Sequence, residues 1–178
     1  MTSGGGGFVI LIIGIGLAAL LGASLFAHGS NVYSPILNQT KIWQLYGNGG
    51  MYNGTMLNAS TISLQFKVGA LTIGLNSAYY QSYVTQNGSA YILTVTTTTP
   101  SIFIKNEGKI SQRGNVNYVI GDNLITNHFQ SYLQTEHGVQ TLLSTNSSAA
   151  IVQKGNTVMI IYLTGGLTRS LNQTISAV

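Results

Sequence analysis

From about residue 30 onward the apolar and polar positions repeat with a period near two. Thr61–Val68 is the clearest case: Ile62, Leu64, Phe66 and Val68 fall on one side, Ser63, Gln65 and Lys67 on the other. That alternation is the signature of a half-buried strand. Further strands are predicted over Ala70–Leu75, Ala78–Val84, Ala90–Thr98, Ile102–Lys105, Val116–Ile120, Phe129–Leu133, Val139–Leu143, Ala149–Gln153 and Thr157–Leu163. These runs are rich in Ile, Val, Thr and Tyr, which suit a pleated surface. Asn48-Gly49-Gly50, Asn87-Gly88, Asn106-Glu107-Gly108, Arg113-Gly114-Asn115 and Lys154-Gly155-Asn156 separate them as turns. No long helical period is read after residue 30. The pattern predicts a mainly β domain over 30–178, an antiparallel sandwich of the immunoglobulin-like kind.

The amino-terminal part has a different pattern. Phe8–Ala27 is a run of 20 uncharged, mostly apolar residues. As a helix it would span roughly 30 Å, the thickness of a bilayer core. A cleaved signal peptide would have a basic start and a shorter apolar stretch of about 7–15 residues. Met1–Gly7 has neither Lys nor Arg, so it reads as a flexible leader, and 8–28 as an uncleaved transmembrane helix. Gly14, Ala18 and Gly22 share one face of that helix. Small residues at this spacing let a second membrane helix approach closely; the bland alternative is that Gly and Ala are common in such helices. No charged side chain precedes Lys41. The long polar region that follows places the carboxyl-terminal domain outside the plasma membrane, or outside a virion envelope.

Composition narrows the function classes. Charged residues are 6% of the 178, with 7 Lys+Arg against 3 Asp+Glu. The seven cations are scattered, which argues against nucleic acid as a partner. Acid denaturation works largely by protonating paired carboxylates, and Glu107, Asp122 and Glu136 are the only three. This chain therefore suits an acidic exterior. Cysteine is absent, so neither a disulfide framework nor a thiolate metal site is available.

Asn38, Asn53, Asn58, Asn87, Asn146 and Asn172 each begin an Asn-x-Ser/Thr sequon. About three would arise by chance from this composition. They read as the acceptors of a glycosylated, archaeal surface protein.

Candidate chemistry is sparse. There is no phosphate-binding loop, and no strand–turn–helix frame around Gly14 and Gly16 that would make a dinucleotide fingerprint. His28, His128 and His137 are scattered, and a metal site is not expected. Three carboxylates and no nucleophile elbow leave no evident catalytic set. Lys105, Lys109 and Arg113 recur at four-residue spacing around Gly108. Gathered by a hairpin they would form an anion-attracting patch; spread along it they would be an exposed turn. Trp43 and Tyr46 are placed either to cap the domain or to lie near headgroups.

Two segments carry a family resemblance. Asn31–Trp43 and Ile125–Val152 resemble, in order and spacing, the small DoxA-type subunit of archaeal thiosulfate:quinone oxidoreductase. Tyr33, Asn38, Lys41, Ile125, Asn127, Gly138, Thr141 and Leu142 are the matching positions. The family's Gly-Pro-Asp-Thr-Tyr-Gly-like central stretch has no counterpart in Gly69–Val84. The resemblance implies an anchored outer subunit of a complex that oxidises thiosulfate to tetrathionate. A multi-spanning partner, held through the Gly14/Ala18/Gly22 face, would carry the quinone. This chain would hold no cofactor of its own, and would shape the site and attract the anion. The competing expectation is a non-catalytic structural surface protein of a filament, envelope or virion. In that version Gln39–Tyr46, as an extended strand, would complete a neighbour's sheet.

Overall fold

The two most apolar runs of the domain lie side by side at the middle of one antiparallel sheet. A computed structural model describes residues 35–60, 62, 67–68, 71–72, 74–121, 124–137 and 146–178. The chain divides into two units, Met1–Val32 and Tyr33–Val178, and all the described residues belong to the second. The membrane-helix reading of 8–28, with Gly14, Ala18 and Gly22, lies outside the described residues. So do Tyr33, Asp122, Gly138, Thr141 and Leu142, the strand expected over Val139–Leu143 and most of the Thr61–Val68 alternation. Among the described residues, no helix is long and apolar enough to cross a membrane.

The strands are β1 (Met51–Leu57), β2 (Lys67–Val68), β3 (Leu71–Thr72), β4 (Ser77–Thr85), β5 (Gly88–Thr96), β6 (Ser111–Arg113), β7 (Val116–Ile120), β8 (Ser147–Lys154) and β9 (Thr157–Thr164). The α-helices are α1 (Gln39–Tyr46), α2 (Leu124–His137) and α3 (Leu171–Ser176). Tight 3-10 turns occupy Pro100–Phe103 and Gly165–Ser170. Seven strands form one sheet in the order β1-β4-β5-β9-β8-β7-β6, and β2 and β3 make a separate two-residue hairpin. Every pairing in the large sheet is antiparallel. The mainly β, antiparallel expectation therefore holds.

The layering differs from an immunoglobulin-like sandwich, which stacks two sheets. Here the seven strands share one sheet, and helices pack on both of its faces. Ile42 of α1 and Leu171 and Ile175 of α3 join Tyr83, Ile92, Ile161 and Leu163 in one apolar cluster. Ile125, Phe129, Tyr132 and Leu133 of α2, with Phe103, join Tyr80, Leu93, Ile160 and Tyr162 in the other. The reason is visible in β5 and β9, which are buried along almost their whole length. A strand that alternates has one wet face; a strand apolar throughout must be covered on both.

Three expected strands take other forms. Phe129–Leu133 lies inside helix α2. Its buried apolar positions, 125, 129, 132 and 133, follow helical spacing, while Asn127, Ser131, Gln134 and Thr135 are exposed. The Ile125-x-Asn127 segment of the family resemblance is thus helical here. Ile102–Lys105 is the end of a 3-10 turn with Pro100 in its first turn and the residues just after it. Gln39–Tyr46, expected to be extended in the filament version, is helix α1. Asn38 caps it: its side chain accepts a hydrogen bond from the Lys41 backbone N–H at 3.0 Å.

The Gly114-Asn115 and Gly155-Asn156 turns fall where expected, and the expected Asn87-Gly88 turn lies one residue earlier, at Gln86-Asn87, with Gly88 the first residue of β5. Thr85 pairs with Gly88, Arg113 with Val116 and Lys154 with Thr157, each leaving a two-residue loop. Gly114 and Gly155 open their loops at φ 59° and 56°, a backbone region that side chains with a Cβ disfavour.

Candidate functional site

The sequence grouped cations by spacing along the chain; the fold groups different ones. Helix α3 lies against the sheet face that α1 also covers, and three basic side chains converge on its last turn. Lys41 of α1 donates from Nζ to the carbonyls of Ile36 at 3.0 Å and Ala177 at 3.3 Å. Lys154 of β8 donates from Nζ to the Val178 carbonyl. Arg113 of β6 donates from Nη1 to the Asn172 carbonyl at 3.4 Å and to the Ser176 hydroxyl. Cations at a helix carboxyl end answer the negative pole of its aligned peptide dipoles.

Strand register explains the convergence. Arg113 pairs with Val116, and Val116 pairs with Lys154. Cross-strand partners share a sheet face, so Arg113 and Lys154 point the same way, two strand spacings or about 10 Å apart. The Arg113 guanidinium lies 6.0 Å from the centre of the Tyr118 ring, within cation–π range.

Beside it, Arg113, Asn172, Gln173, Ser176 and Ala177 line a shallow depression of about 490 Å³. Both Arg113 hydrogen bonds use Nη1, whereas a guanidinium has five N–H donors in a planar fork suited to oxyanions. Arg169 is exposed in the turn just before α3. Four of the seven basic residues thus sit on elements of this side, and α1, α3 and the Gly165–Ser170 turn carry no acid. What the arrangement can do chemically is attract and hold an anion. It offers no nucleophile–base pair and, among the described residues, no group of three or more His, Asp or Glu that could hold a metal.

Of the predicted trio, Arg113 belongs to this site. Lys105 and Lys109 are exposed along the loop between the Pro100–Phe103 turn and β6. Phe103 roots that loop in the cluster under α2, on the opposite face. Glu107, between the two lysines, accepts a hydrogen bond from the Ile125 backbone N–H at 3.3 Å, at the start of α2. Lys41 and Lys154 escaped the spacing argument because one precedes Arg113 by half the domain and the other follows it by three elements.

All six sequon asparagines are exposed. Asn38 caps α1, Asn53 lies in edge strand β1 and Asn58 follows it, Asn87 is in the β4–β5 loop, Asn146 precedes β8 and Asn172 is on α3. His128 is half-buried on α2, and its Nδ1 has no protein hydrogen-bond partner. Trp43 is 40% exposed on α1. Tyr46 stacks on Tyr83 with ring centres 5.8 Å apart and bonds the Thr174 hydroxyl at 2.8 Å. Burial pushes its phenol up to about 12, against a smaller opposing effect of that hydrogen bond.

No family model matches the chain, and no curated protein matches it. Among solved structures, a GTP binding regulator from Thermotoga maritima aligns with 8% identity and a TM-score of 0.42, over 82% of this chain and 90% of that one. Likeness at that level carries no argument.

Proposed function

We propose that the chain is the outer, N-glycosylated domain of a surface complex, held to its membrane by the 8–28 segment. The observation that carries this reading is the exposure of all six sequon asparagines, since a sugar can be attached and kept only where the side chain reaches solvent. The small-residue face of Gly14, Ala18 and Gly22 is the proposed seam with a multi-spanning partner. The basic end of α3 is the proposed anion-attracting element. It raises the local concentration of a negatively charged ligand without chemistry of its own.

The finer proposal names the complex as a thiosulfate:quinone oxidoreductase, with this chain as its accessory subunit and the quinone in the partner. It rests on the DoxA-type resemblance, and the Arg113 depression supports it by presenting a guanidinium to a divalent oxyanion. A second reading, a structural surface protein that assembles with itself, is favoured by the edge strand β1, whose outer side has no partner among the described residues.

One experiment tests these together. The native protein is extracted from its membranes in mild detergent, its amino terminus read, its intact mass compared before and after deglycosylation, and its companions identified. An intact start, a mass excess from sugars and a multi-spanning companion support the proposal; thiosulfate-dependent quinone reduction by that preparation then tests the finer one. A start near residue 27 with only copies of itself overturns the complex and favours self-assembly.

A further inference from the structure

We infer that folding closes the sequon at Asn172 and leaves the one at Asn38 open, so that sugar reaches Asn172 only before helix α3 has docked. The inference rests on the glycosylation reading above and sorts its acceptors. A sequon is defined by two side chains, the Asn that receives the sugar and the Ser or Thr two residues on. Only a hydroxyl residue serves at that second place, so the transferring enzyme must reach both.

A helix separates the two. Successive residues of an α-helix are turned by about 100°, so positions two apart differ by about 200° and face opposite ways. Asn172, Gln173 and Thr174 all lie in α3. Asn172 is exposed, whereas Thr174 is buried at 0% exposure. The Thr174 hydroxyl is engaged twice: it donates to the Ser170 carbonyl at 2.8 Å and meets the Tyr46 hydroxyl of α1 at 2.8 Å. Leu171 and Ile175, on either side of the triplet, are buried in the apolar cluster beneath. Presenting Thr174 to an enzyme therefore means lifting α3 off the sheet.

Asn38 has the opposite arrangement. Asn38 and Thr40 are both exposed. The cap of α1 uses Asn38 Oδ1, and sugar is attached through Nδ2. In the transfer, Nδ2 bonds to the anomeric carbon of a lipid phosphate-linked sugar. The bond from that carbon to the phosphate oxygen breaks, the phosphate leaves with its electron pair, and one amide proton passes to a base of the enzyme. The sorting bears on the basic end of α3. Asn172 lines the depression beside Arg113, and its carbonyl accepts from Arg113 Nη1. A chain that folds before it meets the enzyme keeps that depression clear of sugar.

The test uses the full chain made in a host without the transferring enzyme and purified, folded, in detergent. It is incubated with an oligosaccharyltransferase and a lipid-linked sugar, and peptide mass mapping follows each sequon over time. Asn38 is expected to gain sugar, and Asn172 to do so at least about tenfold more slowly, because it waits for α3 to open. Leu171→Gly combined with Ile175→Gly removes two apolar anchors of α3 and lowers its helix propensity. That variant is expected to bring Asn172 to the rate of Asn38. Equal rates at the two sites in the unaltered chain overturn the inference. So does an Asn172 that stays bare in the double variant while Asn38 is modified, which assigns its silence to the local sequence. An unaltered chain modified at neither site overturns the open half of the sorting. The same mapping on the native protein answers separately for the earlier reading. Bare asparagines at every sequon there overturn glycosylation and leave the sorting, measured on the folded chain, standing.

Discussion

The side-chain amide of Gln81 donates to the main-chain carbonyl of Leu37 across 2.6 Å, joining strand β4 to the segment that enters α1. Both residues are buried, at 1% and 0% exposure. The same Nε2 donates to the Tyr52 hydroxyl at 3.0 Å, while Oε1 has no protein partner. Leu37 thus brings its apolar side chain into the core and has its carbonyl answered there. Gln81→Leu leaves that carbonyl orphaned, and a buried unsatisfied acceptor costs about 1–3 kcal/mol. A loss of that size is expected in denaturant unfolding; an unchanged midpoint would show that the open Oε1 cancels the bond.

Asn38 serves two roles that substitution can separate. It caps α1 through Lys41 N–H, and it begins a sequon. Asn38→Ala is expected to cost about 0.5–2 kcal/mol of stability by loss of the cap. Asn38→Asp keeps a capping oxygen and removes the sequon, so its stability should hold while the mass falls by any glycan carried there. Equal destabilisation by both would assign the effect to the sugar.

Stability should fall at alkaline pH. The Tyr46 phenol is raised from 10.0 to about 12 by burial. Below pH 10 folded and unfolded chains both hold the proton. As pH rises from 10 towards 12 the unfolded chain ionises first, and stability is lost over that window. Complete, that difference corresponds to about 3 kcal/mol. Burial also raises the Tyr80 phenol, reinforced by Tyr91 and Tyr132, so the loss continues beyond that window. Tyr46→Phe should flatten the decline between pH 10 and 12, measured by denaturant unfolding across that range; an unaltered slope would remove Tyr46 as its source.

Glu107 reaches Ile125 N–H at the amino end of α2 from a loop 18 residues earlier. A carboxylate there accepts from an otherwise unpaired amide and faces the positive pole of the helix. Glu107→Ala is expected to cost about 1 kcal/mol, read from thermal unfolding, whereas Lys105→Ala and Lys109→Ala, at exposed positions, should change stability by less than about 0.5 kcal/mol. A neutral Glu107→Ala would mean that solvent caps α2 equally well.

The central strands were legible because their signal is local and strong. Val116–Ile120 matches β7 to the residue, and Ala78–Val84, Ala90–Thr98, Ala149–Gln153 and Thr157–Leu163 fall on β4, β5, β8 and β9 within two residues at each end. Helix α2 was misread because Phe129 and Tyr132 are aromatic residues that favour strands. The four-residue step from Ile125 to Phe129, and the further steps to Tyr132 and Leu133, show the helix only once a longer window is taken. For the site, Arg113 was found and Lys41 and Lys154 were not: nothing in the linear sequence links residues that meet through two strand pairings and the last helix.

The sequence by itself determined that the domain is mainly antiparallel β and, to within a residue, where its hairpins turn. Both follow from interactions within a few residues: side-chain alternation and glycine at positive φ. Only the tertiary structure decided that the strands make one sheet with helices on both faces. The apolar length of β5 and β9 demands two covers, but which segments supply them depends on global packing. It also decided that α3 gathers Lys41, Arg113 and Lys154, since strand register and helix docking, rather than chain distance, set which charges meet.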